Sequence, residues 1–394
     1  KGGRNMSRLA KVVIFGLTFL LCFPLAYSVA ADMVKVGVVL PLTGPIAFDG
    51  KLTFQGVQLA EKQLNAAGGV TVGGKKYQIE LIPEDSSCVP TNSVAAVEKL
   101  MTRDKVVAVV GDFCSSSTFA DAEVARRHRV LQITPVSIAP KITKQGNPWI
   151  FRGCDDAEMM GKAFVSYAIN KLKITKWAFL AVNDDYGRGS VDAMSALIKQ
   201  HPGAEIVTIE YHEKGATDYY SLLTKIKGKK PNGLALIANT AEDAMKTNQW
   251  YELGMHKTMR LMDPTSALFN PKFVELTGKK SEGMVGAARY VWAIDTPANK
   301  AFVKEFVAAY GEKPEKFSQS GYDCLKLVAR AIETADSLDP KAIRDALAKT
   351  DYTGPQGRAS FNAENQIMID EYVLQIKNGE FVILGKVPRE KLFE

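Results

Sequence analysis

The sequence predicts an α/β protein built from two doubly wound lobes, each around a mostly parallel sheet. Apolar, β-branched runs alternate with helical patterns along most of the chain, at the spacing of βαβ units. These units are too many for one sheet, and the pattern starts again near Cys154. A length of 394 residues also exceeds one compact core and favours two domains. The composition, with 46% hydrophobic and 24% charged residues, is that of an ordinary globular protein.

The first 31 residues have the pattern of a secretory signal peptide. A basic start at 6–11 is followed by an apolar run at 12–25 and by small residues before the expected cleavage site. An uncleaved membrane anchor is the alternative, which the short apolar run disfavours. Leu21 precedes Cys22 where a lipobox has a small residue, so we expect a free periplasmic protein and not a lipoprotein. Cleavage after residue 31 removes four basic residues, lowers the net charge from +7 to +3, and leaves no indication of nucleic-acid binding.

The first part of the chain contains five predicted strands and three predicted helices. Short runs of β-branched and apolar residues predict the strands, and apolar positions at helical spacing predict the helices. Gly68-Gly69 marks a helix end, and Gly73-Gly74 marks a hairpin turn. In chain order we predict a strand at 34–40, a helix at 52–66, strand 77–82, helix 90–101, strand 106–110, helix 118–127, strand 130–134 and strand 149–152.

Beyond Cys154 the same alternation continues and then gives way to a helical region. The turn sequences Gly354-Pro355-Gln356-Gly357 and Asn378-Gly379 separate short strands near the C-terminal end. In chain order we predict a helix at 160–172, strand 177–182, helix 191–199, strand 206–211, helix 219–227, strand 233–238, helix 241–253, strand 283–290, helices 302–310, 322–334 and 340–348, and strands 358–361 and 372–376.

The stretch 106–118 predicts an anion-binding loop. A buried strand ends at Gly111, and small hydroxyl residues lead from it into a helix. The start of a helix presents free N–H groups and the positive end of its dipole, which together favour a carboxylate or phosphate. The alternative is an ordinary helix capped by one of these serines.

Four cysteines remain after cleavage, namely Cys88, Cys114, Cys154 and Cys324, and they allow three pairings. We predict a Cys88–Cys114 disulfide, because both residues follow neighbouring strands of the predicted sheet. Cys154–Cys324 follows only by elimination, and four free thiols are the alternative.

No sequence pattern indicates catalysis, a metal or a cofactor. The four histidines lack zinc-site spacing, and there is no P-loop, Gly-x-Ser-x-Gly or Cys-x-x-Cys. Acidic pairs such as Asp184-Asp185 are typical of loop and cap residues. The sequence therefore predicts a protein that is not an enzyme and holds neither cofactor nor metal.

Six segments in the same order resemble the periplasmic binding proteins of branched-chain amino acid ABC transporters, the Leu/Ile/Val-binding type. The resemblance extends over about 32–394. The segments are Val36-Gly37-Val38-Val39-Leu40-Pro41-Leu42-Thr43-Gly44-Pro45, Asn65-Ala66-Ala67-Gly68-Gly69-Val70, Gly111-Asp112-Phe113-Cys114-Ser115-Ser116-Ser117-Thr118, Asp184-Asp185-Tyr186-Gly187-Arg188-Gly189, Gly321-Tyr322-Asp323 and Gly354-Pro355-Gln356-Gly357.

The resemblance implies two Rossmann-like lobes joined by three hinge strands, which close on a ligand in the manner of a Venus flytrap. Lobe 1 would comprise 32–153 and 287–354, and lobe 2 would comprise 154–286 and 355–394. The implied partners are a small-molecule ligand with a carboxylate and an inner-membrane permease and ATPase. A monomer is expected, and the family also pairs the cysteines at the positions of Cys88 and Cys114.

Several site residues follow from the resemblance position by position. Ser115, directly after Cys114, would bind the ligand carboxylate through its hydroxyl and amide, and Tyr186 would cover the ligand. Val136 and Ile138 stand where the family contacts an ammonium through a carbonyl and a threonine hydroxyl, so that hydroxyl is lost.

The other positions also depart from the family pattern. Thr265 or Ser266 replaces a glutamate that neutralises the ammonium, and Thr240 replaces an aromatic residue. Phe48 or Asp49 replaces an aromatic residue on the rim. The remaining candidate is Ser137, whose hydroxyl could compensate for Ile138.

These departures leave the anion half of the site and weaken the cation half. A desolvated ammonium without a partner costs several kcal/mol. We therefore expect a carboxylate ligand, either an amino acid or an aromatic or aliphatic acid, with Asp49 able to supply a negative charge. An amide ligand and a sensory receptor on the same scaffold are the alternatives.

Overall fold

The computed structural model describes residues 32–393. The predicted signal peptide and Cys22 lie outside the described residues. Within this range, no helix combines the length and the apolar character that a membrane crossing requires. The strands are β1 Met33–Leu40, β2 Val70–Val72, β3 Lys75–Asp85, β4 Ala108–Gly111, β5 Leu131–Thr134, β6 Ile150–Arg152, β7 Lys176–Val182, β8 Glu205–His212, β9 Gly233–Ile237, β10 Arg260–Asp263, β11 Val285–Ala288, β12 Asp351–Gly354, β13 Gly357–Phe361, β14 Ile367–Met368, β15 Glu371–Lys377 and β16 Glu380–Val387.

Twelve α-helices are described between these strands, with a π-helical turn at Leu100–Asp104 and 3₁₀ turns at Met255–Lys257, Gly278–Ser281 and Arg389–Leu392. The α-helices are α1 Ala47–Ala66, α2 Pro90–Lys99, α3 Ser115–His128, α4 Lys141–Lys144, α5 Ala157–Asn170, α6 Asp185–Ile198, α7 Tyr220–Gly228, α8 Thr240–Glu252, α9 Pro271–Thr277, α10 Pro297–Tyr310, α11 Lys316–Ala335 and α12 Pro340–Leu347.

Two large sheets confirm the predicted α/β fold class. The first has the order β2-β3-β1-β4-β5-β6 and the second the order β16-β15-β11-β10-β9-β7-β8. In the first sheet β1, β3, β4, β5 and β6 pair in parallel, and in the second sheet β7, β8, β9, β10 and β11 do so. Strands β2, β15 and β16 pair antiparallel to their neighbours. A third, small sheet has the order β12-β13-β14. The central parallel strands are buried throughout, which explains why their sequences read as continuous apolar runs.

The predicted elements differ from the observed ones mainly where polar residues interrupt the apolar pattern from which a strand or helix is predicted. Strand β10 was not predicted, because its two apolar residues lie between Arg260 and Asp263. Helix α11 begins at Lys316, six residues before its predicted start. There the Glu315 side chain accepts hydrogen bonds from the backbone N–H of Phe317 (2.8 Å) and Ser318 (2.7 Å), which fixes the helix start.

Helices α1 and α11 pack against each other at glycines. A Cβ atom built on Gly56 of α1 would overlap the backbone carbonyl of Ser318, and one built on Gly321 of α11 would overlap the carbonyl of Thr53. The two helix backbones therefore approach more closely than any residue with a side chain at these positions would permit.

The chain crosses three times between the second large sheet and the first large sheet or the elements packed on it, and each crossing places a charged residue in one buried cluster. Asp155 lies between β6 and α5, Arg289 follows β11, and Glu371 begins β15. All three side chains are buried. Arg289 Nη1 donates to Asp155 Oδ1 at 2.6 Å. Burial raises the pKa of Glu371 well above its usual range, with the neighbouring Asp155 carboxylate adding to the effect.

Candidate functional site

A cavity lies between the carboxyl ends of the two large sheets. Its accessible volume is about 60 Å³, well above the minimum that a single ordered water requires. Its wall combines residues from loops of both sheets and from the start of α11. The lining residues are Ile46, Asp49, Phe113, Cys114, Ser115, Val136, Ile138, Val182, Asp184, Tyr186, Lys214, Ala238, Asn239, Glu242, Thr265, Ala267, Lys316 and Phe317.

The predicted anion-binding loop forms one wall of this cavity. Helix α3 begins at Ser115, three residues earlier than predicted, and Cys114 occupies the N-cap position in an extended conformation. Within residues 32–393 no side chain caps this helix. Ser115 Oγ instead accepts a hydrogen bond from the Ala139 N–H at 3.3 Å. The alternative of a serine-capped helix is therefore wrong, and the helix start faces the cavity.

Aromatic and aliphatic side chains form the middle of the cavity. The rings of Phe113 and Phe317 lie 5.1 Å apart at an interplanar angle of 45°. Val136 and Ile138 add an aliphatic surface beside them. Tyr186 also lines the cavity, and its hydroxyl lies 2.9 Å from Thr265 Oγ1 and 3.3 Å from the Ala238 carbonyl oxygen. Burial raises the pKa of Tyr186 well above its usual range, so this side chain is neutral.

Asp49 connects the two halves of the cavity wall. Its carboxylate accepts hydrogen bonds from Thr240 Oγ1 at 3.0 Å and from the Thr240 N–H at 3.5 Å, which joins the first turn of α1 to the first residue of α8. Burial raises the pKa of Asp49 to about 7, although the hydrogen bonds from Thr240 oppose the shift. Glu315 raises this pKa further and Lys316 lowers it.

Four of the predicted site residues are not among the residues that line the cavity. Phe48 is 43% exposed, because consecutive helix residues point about 100° apart and Asp49 takes the inward direction. Ser137 is buried and its hydroxyl lies 2.6 Å from that of Thr118. Thr240 donates to Asp49 from behind the wall, and Ser266 Oγ accepts a hydrogen bond from Lys316 at 2.7 Å.

Sequence reasoning missed Lys214, Glu242 and Lys316 and treated Asp184 only as a cap. Asp184 does cap α6, since it accepts a hydrogen bond from the Gly187 N–H at 3.0 Å, yet it also lines the cavity. Lys214 Nζ donates to the Cys88 carbonyl at 3.2 Å and lies 4.0 Å from Cys114 Sγ. Asp184 and Lys214 follow strands of the second sheet, and Glu242 and Lys316 lie in the first turn of a helix. These positions in the sequence could have indicated that the residues line the cavity.

The cysteines follow one of the two predicted pairings. Cys88 and Cys114 form a disulfide that joins the loop after β3 to the start of α3. The Cys154–Cys324 pairing is wrong, since both are buried free thiols. Cys154 Sγ points to the Ser137 carbonyl oxygen at 3.9 Å instead. Burial raises the pKa of Cys154 to about 12, so this thiol stays protonated and unreactive.

Across residues 32–393, no group of three or more His, Cys, Asp or Glu side chains is arranged to hold a metal ion. The cavity instead offers helix-start N–H groups, an apolar middle and several charged side chains. This combination suits reversible binding of a small polar molecule.

The sequence profile described as "Periplasmic binding protein" matches residues 33–380. This chain belongs to that family. The leucine-, isoleucine-, valine-, threonine- and alanine-binding protein of Pseudomonas aeruginosa is 29% identical over 368 residues, which cover 93% of this chain and 94% of the relative. The relatives named here are all binding proteins, and the prediction that this periplasmic binding protein is not an enzyme is confirmed.

Solved structures share the fold of this periplasmic binding protein. A branched-chain amino acid transporter substrate-binding protein of Streptococcus pneumoniae, in complex with isoleucine, matches with a TM-score of 0.80 and 27% identity, covering 90% of this chain and 99% of that one. A solute-binding protein of R. palustris in complex with benzoate matches with a TM-score of 0.80 and 22% identity, covering 90% and 96%. These matches confirm the two-lobed fold.

Proposed function

We propose that this protein captures a small carboxylate outside the cytoplasm and delivers it to an ABC permease and its ATPase. The observation that carries the proposal is the start of α3, where uncapped N–H groups and Ser115 face a largely apolar cavity. The positive end of the helix dipole and these donors favour a negatively charged ligand group. The candidate ligands are amino acids and related aromatic or aliphatic acids.

The ligand carboxylate would accept hydrogen bonds from the Ser115 hydroxyl and from N–H groups at the start of α3. The ligand side chain would then lie among Phe113, Phe317, Val136 and Ile138. The family relatives support a small organic ligand, since one is named for binding five amino acids. The same fold holds benzoate in a solved structure, so an aromatic acid is compatible with it.

Ligand binding would close two lobes about the three crossings. The proposed lobe 1 comprises 32–153 and 287–354, and the proposed lobe 2 comprises 154–286 and 355–394. The closed arrangement is favoured only as far as the ligand contacts both lobes. Direct contacts such as Asp49–Thr240 and Lys214–Cys88 would add to that preference. We propose a periplasmic monomer, with residues 1–31 as its signal peptide.

Isothermal titration calorimetry against leucine, phenylalanine, benzoate and hexanoate tests the ligand class. We expect at least one of these acids to bind with micromolar affinity or better. The matching amides of the bound acids, which lack the negative charge, serve as controls and should bind at least tenfold more weakly. Equal binding of acid and amide would contradict the carboxylate assignment.

Replacing Ser115 with alanine is expected to weaken binding of the preferred acid by about 1–3 kcal/mol, because a charge-assisted hydrogen bond is lost. Calorimetry measures the change directly. Ser116→Ala is the matched control, since Ser116 lies in the same helical turn but does not line the cavity. An unchanged affinity for Ser115→Ala would remove this residue from the site.

Uptake of the radiolabelled acid tests delivery to a transporter. We expect deletion of the gene to abolish high-affinity uptake, and a plasmid copy to restore it. A strain that keeps full uptake but loses a transcriptional response to the acid would instead indicate a sensory receptor.

A further inference from the structure

Lys316 is a buried cation in the cavity wall. It begins α11 and is only 5% exposed, yet it lines the cavity. Its ammonium donates to the Thr265 carbonyl at 2.9 Å and to Ser266 Oγ at 2.7 Å. An ammonium has three N–H donors. Two of them are used in these hydrogen bonds, the Phe317 ring centroid lies 4.7 Å from Nζ, and no oxygen within residues 32–393 accepts the third.

No carboxylate within residues 32–393 forms an ion pair with this ammonium at 4.0 Å or less. Asp263 is nearby, but its oxygens accept hydrogen bonds from Thr265 and from the Leu268 N–H. Asp155 is paired with Arg289. A buried ammonium that lacks a carboxylate partner is costly, and such groups cluster at functional sites, where a ligand can supply the missing acceptor.

The other charged groups of the cavity are already engaged. Asp49 accepts hydrogen bonds from Thr240, and its pKa of about 7 leaves it partly neutral at neutral pH. Asp184 accepts from the Gly187 N–H and has Lys214 as a cationic neighbour. Glu242 accepts from the Gly215 N–H and has Lys246 near it. Lys214 also has donors to spare, but its side chain is exposed. Lys316 is the buried cation of the cavity that offers an unused donor.

We propose that Lys316 donates a hydrogen bond to a second oxygen of the ligand, so that the site selects acids with an acceptor beside the carboxylate. This inference rests on the proposed carboxylate-binding function. A 2-oxo acid fits, because its keto oxygen can accept the hydrogen bond from Lys316. An α-amino acid has a positively charged ammonium at that position, next to the Lys316 ammonium. This α-ammonium would be repelled by Lys316 and could not accept its hydrogen bond.

Three acids that share one carbon skeleton provide the test: 4-methyl-2-oxopentanoate, 4-methylpentanoate and leucine. Calorimetry with the wild-type protein should show the oxo acid binding at least about tenfold more tightly than either of the others, as expected for a hydrogen bond to a charged donor. The corresponding series of phenylpyruvate, 3-phenylpropanoate and phenylalanine is measured in parallel, because aromatic rings line the cavity.

Lys316→Met keeps an unbranched side chain but removes the charge and the donors. The oxo acid should then lose at least about tenfold more affinity than the unsubstituted acid, because both lose the attraction of the cation but only the oxo acid loses a hydrogen bond. Thermal unfolding shows whether the variant is folded. If the variant does not fold, the comparison of the three acids with the wild-type protein still tests the proposal.

The outcomes separate the two proposals. Equal binding of the oxo and unsubstituted acids, or tighter binding of leucine or phenylalanine than of their oxo analogues, overturns the role of Lys316 and leaves the carboxylate site intact. An absence of binding for all six acids overturns both proposals.

Discussion

Replacing Gly56 with alanine is expected to lower the free energy of unfolding by about 3 kcal/mol, the upper part of the usual range for overpacking. The new Cβ atom would overlap the Ser318 carbonyl, which belongs to the backbone of α11. A backbone cannot rotate away as a flexible side chain can, so the two helices must separate and lose packing along their contact. Urea denaturation followed by circular dichroism measures the change.

Gly228→Ala is the matched control for this substitution. Gly228 is also a helical glycine, at the end of α7, but a Cβ built on it meets no atom of the described residues within 4 Å. Alanine has the higher helix propensity, so the control should be unchanged or up to about 1 kcal/mol more stable. If both variants lost the same stability, close packing of α1 and α11 would not be the cause.

The affinity for the ligand is expected to fall about tenfold per pH unit between pH 5 and pH 7. In this structure, burial raises the pKa of Asp49 to about 7 from the usual 3.8. Opening the lobes would expose the carboxyl and return its pKa towards the usual value, so closure takes up a proton within this window. A raised pKa favours the closed state at low pH, and that advantage is lost as the pH rises through the higher value.

Asp49→Asn separates this effect from other titrations, because asparagine keeps an acceptor for Thr240 but does not ionise. Asp112, Asp263 and Asp323 also have raised pKa values, so the pH dependence of the wild type alone does not identify its source. Calorimetry from pH 5 to pH 8 should show a steep slope for the wild type and a much shallower one for the variant. Identical slopes would exclude Asp49 as the titrating group.

The sequence predicted most of the central parallel strands, because a strand buried on both faces has a continuous apolar sequence. Val109 and Val110, for example, belong to a run that is apolar on both faces, and such a run has few interpretations. The turn from β4 into α3 was also predictable from Gly111 and the serines that follow it, although the helix begins three residues before its predicted start. The Cys88–Cys114 disulfide was predicted from strands expected to be neighbours, yet β1 lies between β3 and β4 and the disulfide joins the two loops across its end. The sequence did not predict β2, β10, β12, β14 and β16.

The chemistry on the opposite wall could not be predicted in the same way. Lys316 stands at the start of a helix, where a lysine is normally solvated, and its burial depends on Thr265 and Ser266, about fifty residues away in the chain. The choice between Phe48 and Asp49 depended on the rotation of α1. Hydrophobicity favours Phe48 inside, but the Thr240 hydroxyl draws Asp49 inward.

The buried cluster of Asp155, Arg289 and Glu371 links the three crossings, and we expect its three residues to change together in evolution. Loss of Arg289 alone would leave two buried acidic residues without their cation, and loss of Asp155 alone would leave that cation unpaired. Selection therefore acts on the trio as a unit. In descendants of this chain, a change at any one position should arrive together with compensating changes at the other two.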